Sequence, residues 1–392
     1  MKIFTLNNRL AAIDYLDANA STPIHPRVLE AMREVALSSY GNPSATENAF
    51  GWVANQRVER CRSILAELTG SFEDEIIFTS GATEANNLFL LGFMKRVSTP
   101  FEQLLISQIE HPSVLEPARR RSVRDGIPLE QLRVDGQGGL DLEYFETICS
   151  RRRPLVSVIL VNNEIGTIQD LGAISEIVRK YGGFLHVDAS QAPATMDLGN
   201  VGDLCDAATF SAHKAYGPKG IGFLYLRQDH HSTIEPLTYG GGQQQGLRPG
   251  TIPTELIVGL TEAISLSQCE DGIEVRNVAR TRRDEFEFFM LKEFKDIQVN
   301  GNLGNRHVGT SSISFSNLDA SLLLGALSDK VAASSGSACS SGSIEPSHVL
   351  QAIGKTRDES FSTLRFGFHG LEPFGDVKGI VNSIVEATLN QR

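Results

Sequence analysis

Cysteine is scarce in this chain. There are five in 392 residues, Cys61, Cys149, Cys205, Cys269 and Cys339. They are scattered, odd in number and never paired as C-x-x-C, which argues against a disulfide framework and for reduced thiols in a cytoplasmic protein. Positive charge is also short. Thirty-six Lys and Arg face 47 Asp and Glu, a formal net charge of −11, so the chain is a poor non-specific binder of nucleic acid. No stretch reaches membrane-spanning length, and the N-terminal segment has no long apolar core with flanking charges, so no membrane partner is expected. No G-x-G-x-x-G follows an early strand, which excludes a nicotinamide dinucleotide enzyme. Repeats and long low-complexity linkers are missing too. One Trp and 41% hydrophobic residues suit an ordinary α/β enzyme.

What is present is a regular alternation. From about residue 17 to 265, short apolar runs such as Leu104-Leu105-Ile106, Phe184-Leu185-His186-Val187 and Gly222-Phe223-Leu224-Tyr225-Leu226 alternate with helical segments. That pattern predicts a mainly parallel sheet with helices on both faces, the large domain of an α/β protein. A helical stretch from about Thr254 to Phe294 bridges to a smaller α+β domain, assigned residues 1–16 and 266–392. The triplets Arg119-Arg120-Arg121 and Arg151-Arg152-Arg153 are read as solvated faces, the alternative being a docking patch for an acidic partner.

Three strand ends carry the chemistry. Asp206-Ala207-Ala208-Thr209-Phe210 reads as a buried strand leading into Ser211-Ala212-His213-Lys214, and a Gly/Pro turn follows. A lysine that forms a Schiff base must be desolvated or set beside cations, so that part of it is neutral. Taken alone, Lys214 reads more simply as a surface lysine in a loop. However, the run Phe184–Asp188 ends in an acid at the carboxyl end of a strand, where ligands bind in open α/β sheets. The run Glu75–Thr79 leads into Ser80-Gly81-Ala82-Thr83-Glu84, small and hydroxyl residues at a helix start that would favour phosphate. Together these sites point to a shared phosphorylated cofactor, with Asp188 on a pyridinium nitrogen.

Residues 334–343 are almost wholly Ser, Gly and Ala around Cys339. With little apolar surface to bury, this segment is expected to be a mobile loop. A structural cysteine prefers apolar burial, as expected for Cys61 and Cys205.

The motifs Tyr15-Leu16-Asp17 with Ala20-Ser21-Thr22-Pro23, Gly41-Asn42-Pro43-Ser44, Thr79–Glu84, Glu110-His111, Val161–Gly166, His186–Gln191, the Lys214 segment, Arg248-Pro249-Gly250-Thr251 and Ser334–Cys339 run through almost the whole chain. In this it resembles the cysteine desulfurases of the class V aminotransferase family. The resemblance implies the fold type I architecture of pyridoxal 5'-phosphate enzymes, with a seven-stranded sheet, and a homodimer acting on L-cysteine. It implies Lys214 as the residue that binds the cofactor and then moves the Cα proton, and Asp188 on the ring nitrogen. Gln191 would meet the ring oxygen, with His111 on the ring face. Ala82, Thr83, Ser211 and His213 would lie about the phosphate, and Thr251 would come from the partner subunit. Arg365 would hold the substrate carboxylate with Asn163, and Asn42 lies in a substrate-loop motif. Cys339, on the long mobile loop of its group, would accept the sulfur as a persulfide and pass it to an acceptor protein.

Two departures put the acceptor in doubt. After Arg365 the chain runs Phe366-Gly367-Phe368-His369-Gly370, where relatives are richer in hydroxyls and arginine, and no longer tail follows the last expected helix. These features leave open iron–sulfur assembly, thiolation of tRNA or a cofactor, or modification of DNA through a partner. The rival readings are a selenocysteine lyase, a class V aminotransferase, or a sulfur-relay adaptor without catalysis. An aminotransferase has no need of the Cys339 segment, and an adaptor has no need of Lys214, Asp188, Gln191 and His111.

Overall fold

The computed structural model describes residues 13–93, 101–199, 201–316, 318–335, 337–340 and 343–389, with backbone alone for 337–340, 343 and 344. In chain order the first half holds β1 (Asp14–Tyr15), α1 (Pro26–Ser38), α2 (Ala49–Thr69), β2 (Ile76–Thr79), α3 (Ala82–Gly92), β3 (Gln103–Ser107), α4 (Pro112–Asp125), β4 (Leu129–Leu132), α5 (Leu142–Cys149) and β5 (Pro154–Ile159). Next come α6 (Leu171–Lys180), β6 (Phe184–Asp188), α7 (Val201–Leu204), β7 (Ala207–Ser211), β8 (Gly222–Leu226), α8 (Thr254–Ser267) and α9 (Glu270–Glu293). The chain ends in β9 (Ile297–Val299), β10 (Thr310–Phe315), α10 (Ala320–Leu327), β11 (Val331–Ala332), β12 (Ser334–Ser335), β13 (Ser337–Ser340), β14 (Ser343–Pro346), α11 (His348–Ala352), α12 (Arg357–Phe361), β15 (Thr363–Gly367) and α13 (Val377–Leu389).

Seven strands form one sheet in the order β2-β8-β7-β6-β5-β3-β4. Only β8 runs against its neighbours. The expected mainly parallel α/β sheet is therefore observed. Its strands are buried on both faces because successive residues feed opposite cores. Leu105, Val156 and Phe78 pack on one side, while Leu104, Leu155 and Ile77 pack on the other. Gly222 starts β8 as glycine because a Cβ there would lie 2.4 Å from the Phe210 carbonyl oxygen and 2.9 Å from the Gly81 Cα.

A second sheet, β12-β15-β10-β9, packs on a separate apolar cluster around Phe286, Ile313, Leu323, Phe366 and Ile384. Leu16 joins that cluster, and β1 pairs in parallel with β11. The N-terminal strand is thus tied to the C-terminal part of the chain. Among the described residues no helix is long and apolar enough to cross a membrane.

One expectation is corrected, and one segment is described in more detail. The Ser/Gly segment, expected as a mobile loop, is not without strand pairing in its described part. Ser334-Ser335 pair with β15, and Ser337–Ser340 pair antiparallel with Ser343–Pro346, with Cys339 opposite Ile344. Serine and alanine satisfy their own backbone groups in a ladder without needing apolar burial. The rest of the expected mobile loop, residues 336, 341 and 342, lies outside the described residues. The Arg119–Arg121 triplet is not one solvated face either. Arg121 is 2% exposed, ion-paired to Asp125 at 2.5 Å, and donates to the Leu90 carbonyl at 2.8 Å. Three consecutive helical residues span about 200° of the helix, so they cannot all face water.

Candidate active site

The carboxyl ends of the parallel strands open into one cavity of about 370 Å³, of a size that holds small molecules. Its lining includes Ala82, Thr83, His111, Asn163, Asp188, Gln191, Ser211, His213 and Lys214. Strand geometry explains the convergence. Asp188 and Ser211 are the last residues of β6 and β7, and Thr79, last in β2, leads into α3. His111 follows β3, and Asn163 follows β5.

Lys214 sits just past β7, in a short 3₁₀ turn. Its Nζ donates to the carbonyls of Asn19 at 2.5 Å and Ala20 at 2.8 Å. Burial, with Arg365 nearby, lowers the pKa of its ammonium to about 8, against the pull of Asp17 and Asp188. A lysine so placed has a usable neutral fraction near neutral pH.

Asp188 is buried and held from both sides. Asn86 Nδ2 donates to Oδ2 at 2.9 Å, and Ser190 donates to Oδ1 through its N–H at 3.1 Å and its hydroxyl at 2.5 Å. The same Asn86 amide donates to Ser113 Oγ at 2.9 Å. His111 caps α4, where its Nδ1 accepts the Ser113 N–H at 3.1 Å and lies 2.8 Å from Ser113 Oγ. The neutral ring therefore carries its proton on Nε2. Burial keeps His111 below the usual imidazole pKa, partly opposed by Asp188. Gln191 Nε2 donates to the Asn19 carbonyl at 2.9 Å.

The residues fit a phosphorylated cofactor. The cap of α3 is Gly81, at φ 146°, a conformation open to glycine, and it makes no side-chain cap bond. Buried Ser211 Oγ and His213 Nδ1, on the same cavity, have no hydrogen-bond partner. Burial also pushes His213 down to about 4, with Lys214 and Lys219 adding to the shift, so its ring is neutral. Unpaired buried hydroxyl and imidazole groups beside an open helix start suit a phosphate. Glu84 in the first turn is taken up by the Ser80 N–H at 2.6 Å and Arg248 Nε at 2.8 Å.

Arg365, in β15, stands at the edge of this group. Its Nη1 donates to the Asn163 carbonyl at 3.1 Å and its Nη2 to Asp17 Oδ1 at 2.8 Å. Two expected residues are not brought to the cavity within one chain. Asn42 and Thr251 are exposed and do not line it. The side chain of Cys339 lies outside the described residues. Sequence reasoning missed Asn19, Asn86, Ser113 and Ser190 as supports. Asn19 and Asn86 fall within or beside quoted motifs, but a backbone carbonyl that accepts a lysine leaves no mark in residue type.

The chain matches the family described as aminotransferase class-V over residues 14–379. It is 39% identical over 383 residues to the cysteine desulfurase IscS of Rickettsia rickettsii (strain Iowa), spanning 97% of this chain and 92% of that one. Among solved structures, a NifS-like protein superposes with a TM-score of 0.88 at 30% identity, covering 97% of this chain and all of the other. SspA in complex with cysteine superposes with a TM-score of 0.79 at 32% identity, covering 92% of this chain and 100% of that chain.

Proposed function

This chain belongs to the class V aminotransferase family, and we propose that it takes sulfur from L-cysteine with pyridoxal 5'-phosphate, leaving L-alanine, and carries the sulfur on Cys339 to an acceptor protein. The observation that carries this is a desolvated Lys214 sharing one cavity with a fixed Asp188 and with unpaired Ser211 and His213. When bound, pyridoxal phosphate supplies a ring that stabilises negative charge at the substrate's α-carbon.

This chain's residues divide the remaining work. Thr83, Ser211, His213 and the first-turn N–H groups after Gly81 would hold the phosphate. Asp188, immobilised by Asn86 and Ser190, would hold the pyridine nitrogen's proton, and Gln191 would turn its amide to the ring oxygen. His111 would cover the ring face and offer its Nε2 proton. Lys214, neutral above pH about 8, would take and return the Cα proton. Arg365 would bind the substrate carboxylate. The Cys339 thiolate would then attack the substrate sulfur. The Cβ–S bond breaks with its electron pair left on carbon, which takes a proton to become the methyl group of alanine.

A homodimer completes the proposal. Leu29 and Leu37 on α1, with Tyr40, Phe50 and Trp52 nearby, are each more than half exposed, and a second copy would cover such apolar side chains. Thr251, away from its own cavity, would act on the partner's, and Asn42 would belong to a substrate loop. We also propose the division into 17–265 against 1–16 with 266–392, supported by the separate core around Phe286; residues 1–12 lie outside the described residues. Reduced thiols support a cytoplasmic setting: Cys61, Cys149 and Cys205 are buried and free. The test is to compare the wild type with Cys339→Ser. The wild type should form alanine and sulfide from L-cysteine under reductant. The variant should bind cofactor and L-cysteine yet form little of either product; alanine at the normal rate would sink the role of Cys339.

A further inference from the structure

The segment from Leu16 to His25 ties the second sheet to the turn that carries Lys214. At one end it is stitched to β15. The Gly367 N–H donates to the Leu16 carbonyl at 2.7 Å, and the Ala18 N–H donates to the Gly367 carbonyl at 3.1 Å. Asp17 Oδ1 accepts from Arg365 Nη2, on the same strand, at 2.8 Å. At the other end it clasps the lysine turn on both sides. The Thr22 N–H donates to the His213 carbonyl at 2.9 Å, and Thr22 Oγ1 accepts the Tyr216 N–H at 2.7 Å. Between these points the Lys214 Nζ reaches back to the carbonyls of Asn19 and Ala20.

Asn19 stands in the middle of this segment, and the second sheet grips its side chain. Its Nδ2 donates to Thr310 Oγ1, at the start of β10, at 2.5 Å, and both residues are at most 1% exposed. Asn19 Oδ1 has no partner, so among the described residues Thr310 supplies this side chain's only hydrogen bond. Thr310 lies opposite Gly367 in the β10–β15 ladder. The contact needs glycine there: a Cβ on Gly367 would stand 2.3 Å from Asn19 Oδ1 and 2.8 Å from the backbone nitrogens of Ala18 and Asn19. The second sheet thus fixes Asn19 from one side, while Lys214 and Gln191 draw on its carbonyl from the other.

We propose that Thr310 is a positioning residue for Lys214: through the Asn19 side chain it holds the carbonyl on which the lysine amine is aimed at the substrate's α-carbon. This rests on the pyridoxal phosphate function above. In an amino acid the α-carbon is bonded directly to the carboxylate carbon. The base at the one and the guanidinium at the other must therefore keep a set spacing. Asp17, which meets Arg365, and Asn19, which meets Lys214, lie on one short stretch of chain. Thr310 and Gly367 hold that stretch from two neighbouring strands, so the lysine on the large sheet is aligned with the arginine on the small one.

Three variants of the full chain test this. Thr310→Val keeps the shape and loses the hydroxyl, Thr310→Ser keeps the hydroxyl, and Asn19→Ala removes the same bond from its other end. In the holoenzyme, exchange of the L-alanine Cα hydrogen in heavy water reads the proton step without Cys339. Thr310→Val should slow it about tenfold at saturation and move the half-saturating L-alanine concentration less than about twofold. Thr310→Ser should stay within about twofold of the wild type in both. A second measurement separates the aim of the lysine from the shape of the cavity. Pyridoxine 5'-phosphate has the cofactor's ring and phosphate but an alcohol in place of the aldehyde, so it cannot join the amine. All variants should bind it within about twofold of the wild-type affinity, while capture of pyridoxal 5'-phosphate on Lys214 slows about tenfold in Thr310→Val and Asn19→Ala. The double variant should be no slower than either single one, because the two changes remove one bond. A wild-type capture rate in Thr310→Val, equal slowing in Thr310→Ser, additive slowing in the double variant, or a parallel loss of pyridoxine 5'-phosphate affinity overturns the inference while the wild type still captures cofactor. A wild type that captures none on Lys214 overturns the proposed function and this inference with it.

Discussion

Lys214 and Gln191 donate to a single acceptor, the carbonyl oxygen of Asn19, at 2.5 and 2.9 Å. One backbone oxygen thereby aims both the amine and the amide that would meet the cofactor. Asn19 is itself held, with its Nδ2 donating to Thr310 Oγ1 at 2.5 Å. The lysine is thus positioned by the chain itself, and its reactivity is set by burial first and by the Arg365 guanidinium second.

The first prediction follows from that burial. With its pKa lowered to about 8, roughly a tenth of Lys214 is the neutral amine at pH 7 and most of it at pH 9. Cofactor capture by the cofactor-free protein should speed up about tenfold over that range and then level off. Visible absorbance would follow the rate, and borohydride trapping with peptide mapping would find the cofactor on Lys214. A rate still climbing at pH 10, or a trapped cofactor on Lys219, would contradict the assignment.

Arg365→Lys is the second test. An ammonium cannot offer two parallel N–H groups, nor hold both the Asn163 carbonyl and Asp17 in the observed geometry. KM for L-cysteine should rise tenfold or more, with cofactor content unchanged. An unaltered KM would remove Arg365 from the carboxylate site.

The sheet and the cofactor cavity were legible because they rest on residue types with one job each. Buried alternating runs gave the strands, and an acid, a lysine and small hydroxyl residues at their carboxyl ends gave the site. The supports were not legible. Asn19 acts through its backbone, and Ser113 and Ser190 look like any capping or turn serine. The Ser334–Ser343 composition argued for a loop, yet strand pairing needs only backbone groups that alternate along the ladder. Three arginines in a row suggest a charge run, while a helix turns the third one, Arg121, inward. Asn42 and Thr251 are exposed and do not line the cavity of the single chain, which residue type alone does not foretell.

The third prediction concerns Gln244. It lies at φ 50° and ψ 48°, beside Gln245 at φ 59°, a conformation that side-chain-bearing residues adopt at a cost of about 1 kcal/mol or more. Its side chain lies along β2, the edge strand of the large sheet. Oε1 accepts the Phe78 N–H at 2.6 Å and Nε2 donates to the Phe78 carbonyl at 2.9 Å. The amide therefore pairs with Phe78 much as a neighbouring strand would. Gln244→Ala keeps the awkward backbone and strips both bonds from a buried residue, so it should cost about 1–3 kcal/mol. Chemical denaturation at fixed cofactor would read this as a lower midpoint, and Gln244→Glu, which loses the donor, should also lower it. A midpoint equal to the wild type in both variants would show that water serves Phe78 equally well.

The last prediction turns on Glu110, which is fully buried at the end of β3. Its Oε1 accepts the Ile159 N–H at 2.7 Å and the Ser107 hydroxyl, while Oε2 has no partner. Burial raises its pKa to about 8, the bonds from Ser107 and Ile159 pull the other way, and Asp188 adds to the rise. At pH 7 the folded protein thus keeps this proton, which the unfolded chain has already released. The folded state binds more protons between about 4.5 and 8, so this group's contribution to stability is fully present at low pH. It is lost as pH rises through about 8. Buried His186, lowered to about 4 by its burial, acts with the opposite sign below the usual imidazole range, so the wild-type curve alone does not isolate Glu110. Glu110→Gln does isolate it. The amide keeps an oxygen for Ile159 and Ser107 and cannot ionise. The difference in melting temperature between wild type and variant should therefore change steadily from about pH 5 to about pH 8, always against the wild type, and flatten above that. Parallel curves across the range would mean that Glu110 is ionised in the folded protein and that its carboxylate is compensated by groups other than these two bonds.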